Sequence, residues 1–221
     1  MKNIMLAVDC SMRVTGVALA DEGRTVAYES LDLGRRQSAE LPLMAERLNA
    51  KAGLSWADID FVAVTSGPGY FTGIRVGVSW AAALAYGLGV PIIPASSLEM
   101  LAYSFAPECE KPVLSMIYAG RSSVYAASFG AGCKPEDNLD LGEYSGAEIS
   151  AWINDNNRGD IYAISDDPGR AAASLGVELP LSAPITEVRP DVTRLAELAW
   201  AKKDRAVSPM ELRVAYCRAP V

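Results

Sequence analysis

Apolar positions at the start of the chain come in short runs separated by turn residues. Residues 4–8 are an apolar run closed by the turn Asp9-Cys10-Ser11. Residues 15–20 and 25–31 follow, divided by Asp21-Glu22-Gly23. Their β-branched content and spacing predict three strands joined by short connections. Between Ser38 and Leu54 the period lengthens. Leu41, Met44, Ala45, Leu48 and Ala52 share one stripe of a helix, with Gly53 at its C-terminal end and Pro42 expected in its first turn. Residues 61–65 are apolar without alternation, as in a strand buried on both faces. A Gly-rich segment at 66–73 then leads into a helix reaching about Tyr86. After the turn at 87–89 comes a strand at 90–93. Ser96 and Glu99 have capping-box spacing and open a helix to about Phe105. The predicted order is β-β-β-α-β-α-β-α.

The polar stretch 107–112 breaks this series, and afterwards the order partly restarts. Residues 113–118 and 123–129 read as paired strands, Ser145 as a helix start, 161–165 as a strand and 191–203 as a helix. Alternation is loose at 130–143 and 166–184, and 209–221 reads as an irregular tail. No sequence repeat is visible, only a similar order of elements about 110 residues later. The expectation is an α/β protein with two lobes around a cleft, residues 1–106 and 107–221, the second reduced.

Composition narrows the functional classes. Of 221 residues, 50% are hydrophobic and 21% charged, which supplies a core and excludes a disordered chain. The net charge of −7 and pI near 4.7 oppose direct binding of a polyanion, so any action on RNA is expected through a partner. There are no histidines. That excludes imidazole acid–base catalysis, Ser-His and Cys-His nucleophile pairs, and imidazole zinc sites. Cys10, Cys109, Cys133 and Cys217 form no close pair, so reduced thiols rather than a metal site or disulfides are expected. Residues 1–8 are too short for a signal peptide's apolar region. Residues 76–98 carry no charge, but Gly87, Gly89, Pro91 and Pro94 interrupt them, favouring a buried helix, turn and strand over a membrane span.

The segment Ser66-Gly-Pro-Gly-Tyr-Phe-Thr-Gly-Ile-Arg-Val-Gly77 lies between a predicted buried strand and a helix. Gly67 and Gly69 flank Pro68, and Thr72 is placed to cap the helix. The glycines either permit a tight strand–helix turn or let backbone N–H groups at a helix N-terminus receive a phosphate or carboxylate. Neither the Walker nor the Rossmann spacing is present. Asp9 and Ser11 admit two readings as well: an Asx-type turn, or a hairpin that holds phosphate and orients a metal ion or water. Gly73, Gly77, Ala81 and Ala85 recur every four residues. This nearly side-chain-free face suits either packing onto the sheet of the same chain or a helix–helix contact with another chain.

Taken together, Leu6-Ala-Val-Asp-Cys-Ser11, Gly16-Val-Ala18, the Gly-rich segment 66–77 and Pro91 through Ser97-Leu-Glu99 resemble the bacterial TsaB (YeaZ) family, also labelled glycoprotease-like or peptidase M22-like. Similarity is close over about residues 3–105. It implies an actin/Hsp70-like ATPase (ASKHA) fold and a non-catalytic scaffold for TsaD, which transfers a threonylcarbamoyl group to an adenosine of tRNA. TsaE is implied in the complex, a homodimer in the absence of TsaD, and tRNA only through the complex. The docking surface implied is the first helix pair, for which Leu41, Met44, Leu48, Gly73, Gly77, Ala81 and Ala85 are the candidates. Asp9, Ser11, Ser66, Gly67, Gly69 and Thr72 are candidates for a vestigial phosphate site.

Two departures from the family pattern stand out. Gln37 replaces a common histidine before the first helix, and Tyr118-Ala-Gly-Arg121 lacks the usual Asp of the second lobe. The resemblance places the protein in the cytoplasm, away from membranes. It leaves no cofactor or metal to the chain alone and room for ATP or ADP at the complex interface. The competing reading is a small ATP-binding phosphotransferase or ATPase using Asp9 and Ser11. A peptidase reading finds no nucleophile–base pair and no metal ligands.

Overall fold

The computed structural model describes residues 3–105, 109–120, 122–134, 139–215 and 217. At the centre of the first sheet is β1 (Ile4–Asp9), antiparallel to β2 (Thr15–Asp21) and parallel to β4 (Phe61–Gly67). β3 (Arg24–Leu31) pairs antiparallel with β2, and β5 (Ile92–Ser96) parallel with β4, giving the order β3-β2-β1-β4-β5. The β2–β3 hairpin turns on Glu22 and Gly23, at φ 52° and 79°. Two central residues with positive φ match the right-handed twist of the flanking strands. The parallel pairs need crossovers, supplied by α1 (Gln37–Ala52) between β3 and β4 and α2 (Phe71–Leu88) between β4 and β5.

On one face of this sheet Ile4, Leu6, Val8, Val17, Leu19, Val62 and Val64 join Leu41, Met44 and Leu48 of α1 and Ile74, Val78, Ala81 and Ala85 of α2. The predicted α1 stripe is therefore the buried one, and Gly53 closes the helix in the left-handed conformation. Pro42 is not in the first turn: the helix begins at Gln37, which makes Pro42 its sixth residue. The missing N–H deprives the Ser38 carbonyl of its helical donor, which costs little because Ser38 is exposed to water.

α6 (Val192–Ala201) lies along strands β1 to β5. Its fit is specific. A side chain at Gly16 would run into Val192 and one at Gly23 into Trp200, whose ring also meets Phe61 edge to face at 6.1 Å. Beyond α6, Val207 pairs antiparallel with Ile92 and Leu212 is buried in the same core. The compact units are thus Met1–Met100 with Asp191–Ala215, and Leu101–Pro190 with Tyr216–Val221. A single cut between 106 and 107 misplaces α6, because its apolar stripe (Val192, Leu195, Ala196, Ala199) completes the first unit.

The second unit repeats the plan. β6 (Val113–Gly120) is antiparallel to β7 (Ser123–Phe129) and parallel to β9 (Tyr162–Ser165). β8 (Gly142–Tyr144) and β10 (Thr186–Glu187) form the edges, in the order β10-β9-β6-β7-β8. α4 (Gly146–Asp155) and α5 (Pro168–Leu175) take the places of α1 and α2, and α3 (Ser97–Phe105) follows β5 as α6 follows β10. Leu114, Met116, Val124, Ala126, Ile149, Ile153 and Ala171 form its core. The reduction lies in the edges: β8 has 3 residues and β10 has 2, against 8 in β3 and 5 in β5.

Candidate functional site

Asp9 ends β1, where the apolar run stops and the chain turns. One carboxylate oxygen, Oδ1, accepts hydrogen bonds from the Ser11 amide (3.0 Å), the Ser11 hydroxyl (2.6 Å) and the Thr65 hydroxyl (2.6 Å). Burial pushes the Asp9 carboxyl above its usual range, and the bonds from Ser11 and Thr65 oppose that rise without cancelling it. Cys10, beside it, is buried, and burial together with the Asp9 charge raises its thiol far above the ordinary value. It is an inert packing residue. Thr65 escaped the sequence reading. Its signal was a hydroxyl at the end of an otherwise apolar strand that pairs with β1.

The Gly-rich turn closes directly on this corner. Gly67 and Gly69 have φ of 114° and 159°, in the region that favours glycine. The Tyr70 amide donates to the Ser11 carbonyl at 2.8 Å. A Cβ on Gly69 would stand 2.2 Å from that same oxygen, one on Gly73 2.0 Å from the Cys10 carbonyl, and one on Gly67 2.9 Å from the Ala215 carbonyl. The Ser66 hydroxyl donates to the Ala95 carbonyl at 3.3 Å. Thr72 does not cap α2: the helix starts at Phe71, its cap position is Tyr70, no side chain caps it, and Thr72 is exposed. Asp9, Ser11, Ser66, Gly67 and Gly69 therefore come together, whereas Thr72 stands apart. The carbonyl oxygens of Cys10, Ser11 and Ala215 lie close against the turn glycines, where they leave no room for a side chain. Among the described residues no three His, Cys, Asp or Glu groups lie close enough to hold a metal ion.

The small-residue face of α2 points inward. Gly73 and Gly77 press on Cys10, while Ala81 and Ala85 are fully buried in the core that also holds Leu41, Met44 and Leu48. Of the two readings of that face, packing onto the home sheet is the one realised. The seven residues named for docking are instead the inner side of the helix pair. The outer side carries Leu43 (48% exposed) on α1 and Tyr86 (68% exposed) on α2, with Ala39, Ala50, Ser79 and Ala83 also exposed. Phe71 lies in the open under the Arg75 guanidinium, 3.7 Å from the ring centre. Near the start of α1, the Gln37 amide donates to the Thr15 hydroxyl at 3.0 Å. The residue standing where the family often has histidine thus ties the helix to β2.

Two lobes of one topology, each a five-stranded mixed sheet with its crossovers, define an α/β protein of the actin/Hsp70-like class. The structure titled "uncharacterized protein with similarity to peptidase YEAZ from Pseudomonas aeruginosa" superposes with a TM-score of 0.77 at 24% identity, over 98% of this chain and 100% of that one. Residues 32–140 match the family described as TsaD, tRNA N6-adenosine threonylcarbamoyltransferase. The tRNA threonylcarbamoyladenosine biosynthesis protein TsaB of Haemophilus influenzae is 34% identical over 146 residues, 65% of this chain and 60% of that protein. An uncharacterized protein of Mycobacterium bovis, Mb3455c, is 30% identical over 217 residues, 95% of this chain and 91% of that protein. The chain spans less than two thirds of the curated TsaB relatives it matches, between 43% and 64%. These matches together support assignment of the chain to the TsaB (YeaZ) family.

Proposed function

We propose that this protein is a non-catalytic scaffold in tRNA threonylcarbamoyladenosine biosynthesis, acting in the cytoplasm by docking to a TsaD-family transferase. One observation carries the reading: a chain that matches the TsaD family model contains no histidine. The chain therefore offers no imidazole for acid–base work or for holding a metal ion. The acidic net charge of −7 fits a protein that reaches tRNA only within a complex. No described helix is long and apolar enough to cross a membrane.

The docking surface in this proposal is the outer side of α1 and α2, centred on Leu43, Ala83 and Tyr86. In the absence of TsaD a second copy takes the same face, and TsaE joins the assembled pair. A specific contact there requires roughly 1,200–2,000 Å² of buried surface. The isolated chain binds no nucleotide in this reading, because carbonyl oxygens of Cys10, Ser11 and Ala215 crowd the corner that would receive phosphate. ATP or ADP belongs to the interface of the complex.

Leu43→Arg and Ala83→Arg test the surface, since both side chains are exposed and their replacement should leave the fold intact. Pull-down with the TsaD-family protein of the same cell and light scattering of the chain alone should each show association weakened at least about tenfold. Unchanged association would remove α1 and α2 from the interface. Failure of the native chain to associate would overturn the scaffold reading. In the same preparation, calorimetry with magnesium ATP is expected to show no saturable binding. Binding that disappears in Asp9→Ala would favour the phosphotransferase reading instead.

A further inference from the structure

The last stretch of the first unit, residues 207–215, contains neither helix nor extended strand, yet it is fastened at three points. Val207 and Ile92 exchange backbone hydrogen bonds in both directions (2.8 and 3.0 Å), covering the free edge of β5. Leu212 is buried in the core of the first unit. The Ala215 amide donates to the Ser66 carbonyl at 2.8 Å, and the Ala215 carbonyl lies against Gly67. Arg213 stiffens the segment by donating from Nη1 to the Met210 and Leu212 carbonyls, at 3.0 and 3.1 Å.

We propose that residues 207–215 are a strap that positions the Gly-rich turn, and through it the first turn of α2, with the Ala215 N–H as the positioning group. The partner-docking consequence rests on the scaffold reading above; the strap itself does not. The argument is one of fastening. Between β4 and α2 the backbone reverses through Gly67 and Gly69, residues whose own preference selects no single conformation. On the N-terminal side of the reversal the Ser66 carbonyl has the Ala215 amide as its donor; on the C-terminal side Tyr70 is held by Ser11. Gly67 is also paired with Ser96 at the end of β4, so releasing the Ala215 anchor loosens chiefly the backbone from Gly69 onward. Gly67 is also why the strap fits: any side chain there would meet the Ala215 carbonyl, so glycine is needed for the strap as well as for the turn.

Ala215→Pro in the full chain removes this N–H, and Ala215→Gly keeps it. In Ala215→Pro the amides of Gly69 through Ile74 should exchange hydrogen about tenfold faster, with the global unfolding midpoint lowered by no more than the loss of one hydrogen bond accounts for. In Ala215→Gly they should exchange at the native rate. Affinity for the TsaD-family protein should fall about fivefold in the proline variant alone, the scale of one lost backbone hydrogen bond. A chain stopped after Val214 lacks the same donor and does not restrict Val214 as proline does, so it should reproduce the exchange result. Native exchange at 69–74 in both the proline and the truncated chains would overturn the strap. Accelerated exchange with native affinity would uphold the strap and show that docking does not depend on the first turn of α2, separating the two ideas.

Discussion

At the scale of single residues, the contact between α2 and the β1 corner decides what the small side chains are for. The four-residue recurrence of Gly73, Gly77, Ala81 and Ala85 was plain in the sequence, but a period says which residues share a face and not where that face points. The answer lies in the Cys10 carbonyl, more than sixty positions earlier and invisible to any local pattern. The same holds for Thr65, whose hydroxyl reaches Asp9 only because β4 pairs beside β1. Two substitutions separate backbone contact from side-chain contact. At Gly73 an added Cβ meets a carbonyl at 2.0 Å, so the strand end or the helix must move, and Gly73→Ala should cost about 2–3 kcal/mol. At Gly77 the nearest atom is the Cys10 Cβ at 3.1 Å, and the methyl gains about 1 kcal/mol of helix propensity, so Gly77→Ala should be close to neutral. Urea midpoints with unchanged slopes would measure both. Equal costs at the two positions would mean that α2 does not sit on the corner as described. Larger residues at this face, such as Ala81→Arg, test folding rather than docking, since Ala81 is fully buried.

At the scale of elements, the sequence was most legible where a periodic stripe and a terminal signal agreed. α1 has its stripe and Gly53, and the first three strands have short turns between them. α5 shows what was overlooked. It lies in 166–184, where alternation looked loose, and its eight residues are too few for a clear period. Its boundaries were nevertheless written: Asp167 caps the start by accepting from the Arg170 amide at 3.0 Å, Pro168 follows, and Gly176 ends the helix in the left-handed conformation. β8 and β10 are too short to carry any alternation, and only pairing to longer neighbours defines them. A helix so short depends on its cap. Asp167→Ala should lower stability by about 1 kcal/mol while Asp167→Asn, which keeps the acceptor, should cost little. Thermal unfolding of the two variants checks this, and identical midpoints would mean that α5 is held by Ala171 and Leu175 alone.

At the scale of the whole molecule, the sequence conveyed two lobes of one order but not how the chain is shared between them. A boundary at the polar stretch 107–112 is a fair reading of composition, yet composition cannot show that the later helix α6, beginning at Val192, returns to the first sheet. Val192 over Gly16 and Trp200 over Gly23 and Phe61 make that return a matter of fit rather than simple covering. Without α6, alternate residues of β1 such as Met5 and Ala7, fully buried here, would lose the layer on their side of the sheet, as would the Lys202 ion-pair partner Glu99. Exposing one whole face of a five-stranded sheet removes several side chains' worth of burial, each about 1.5–3 kcal/mol, which is comparable to a domain's entire stability. A fragment of residues 1–106 should therefore fail to fold alone, giving broad elution and no near-ultraviolet circular dichroism. Co-expressed with residues 107–221 it should be recovered as a soluble one-to-one complex with the native spectrum. A folded, monomeric 1–106 would show that α6 is an accessory rather than part of the first unit, and would restore the simple division of the chain into two consecutive lobes.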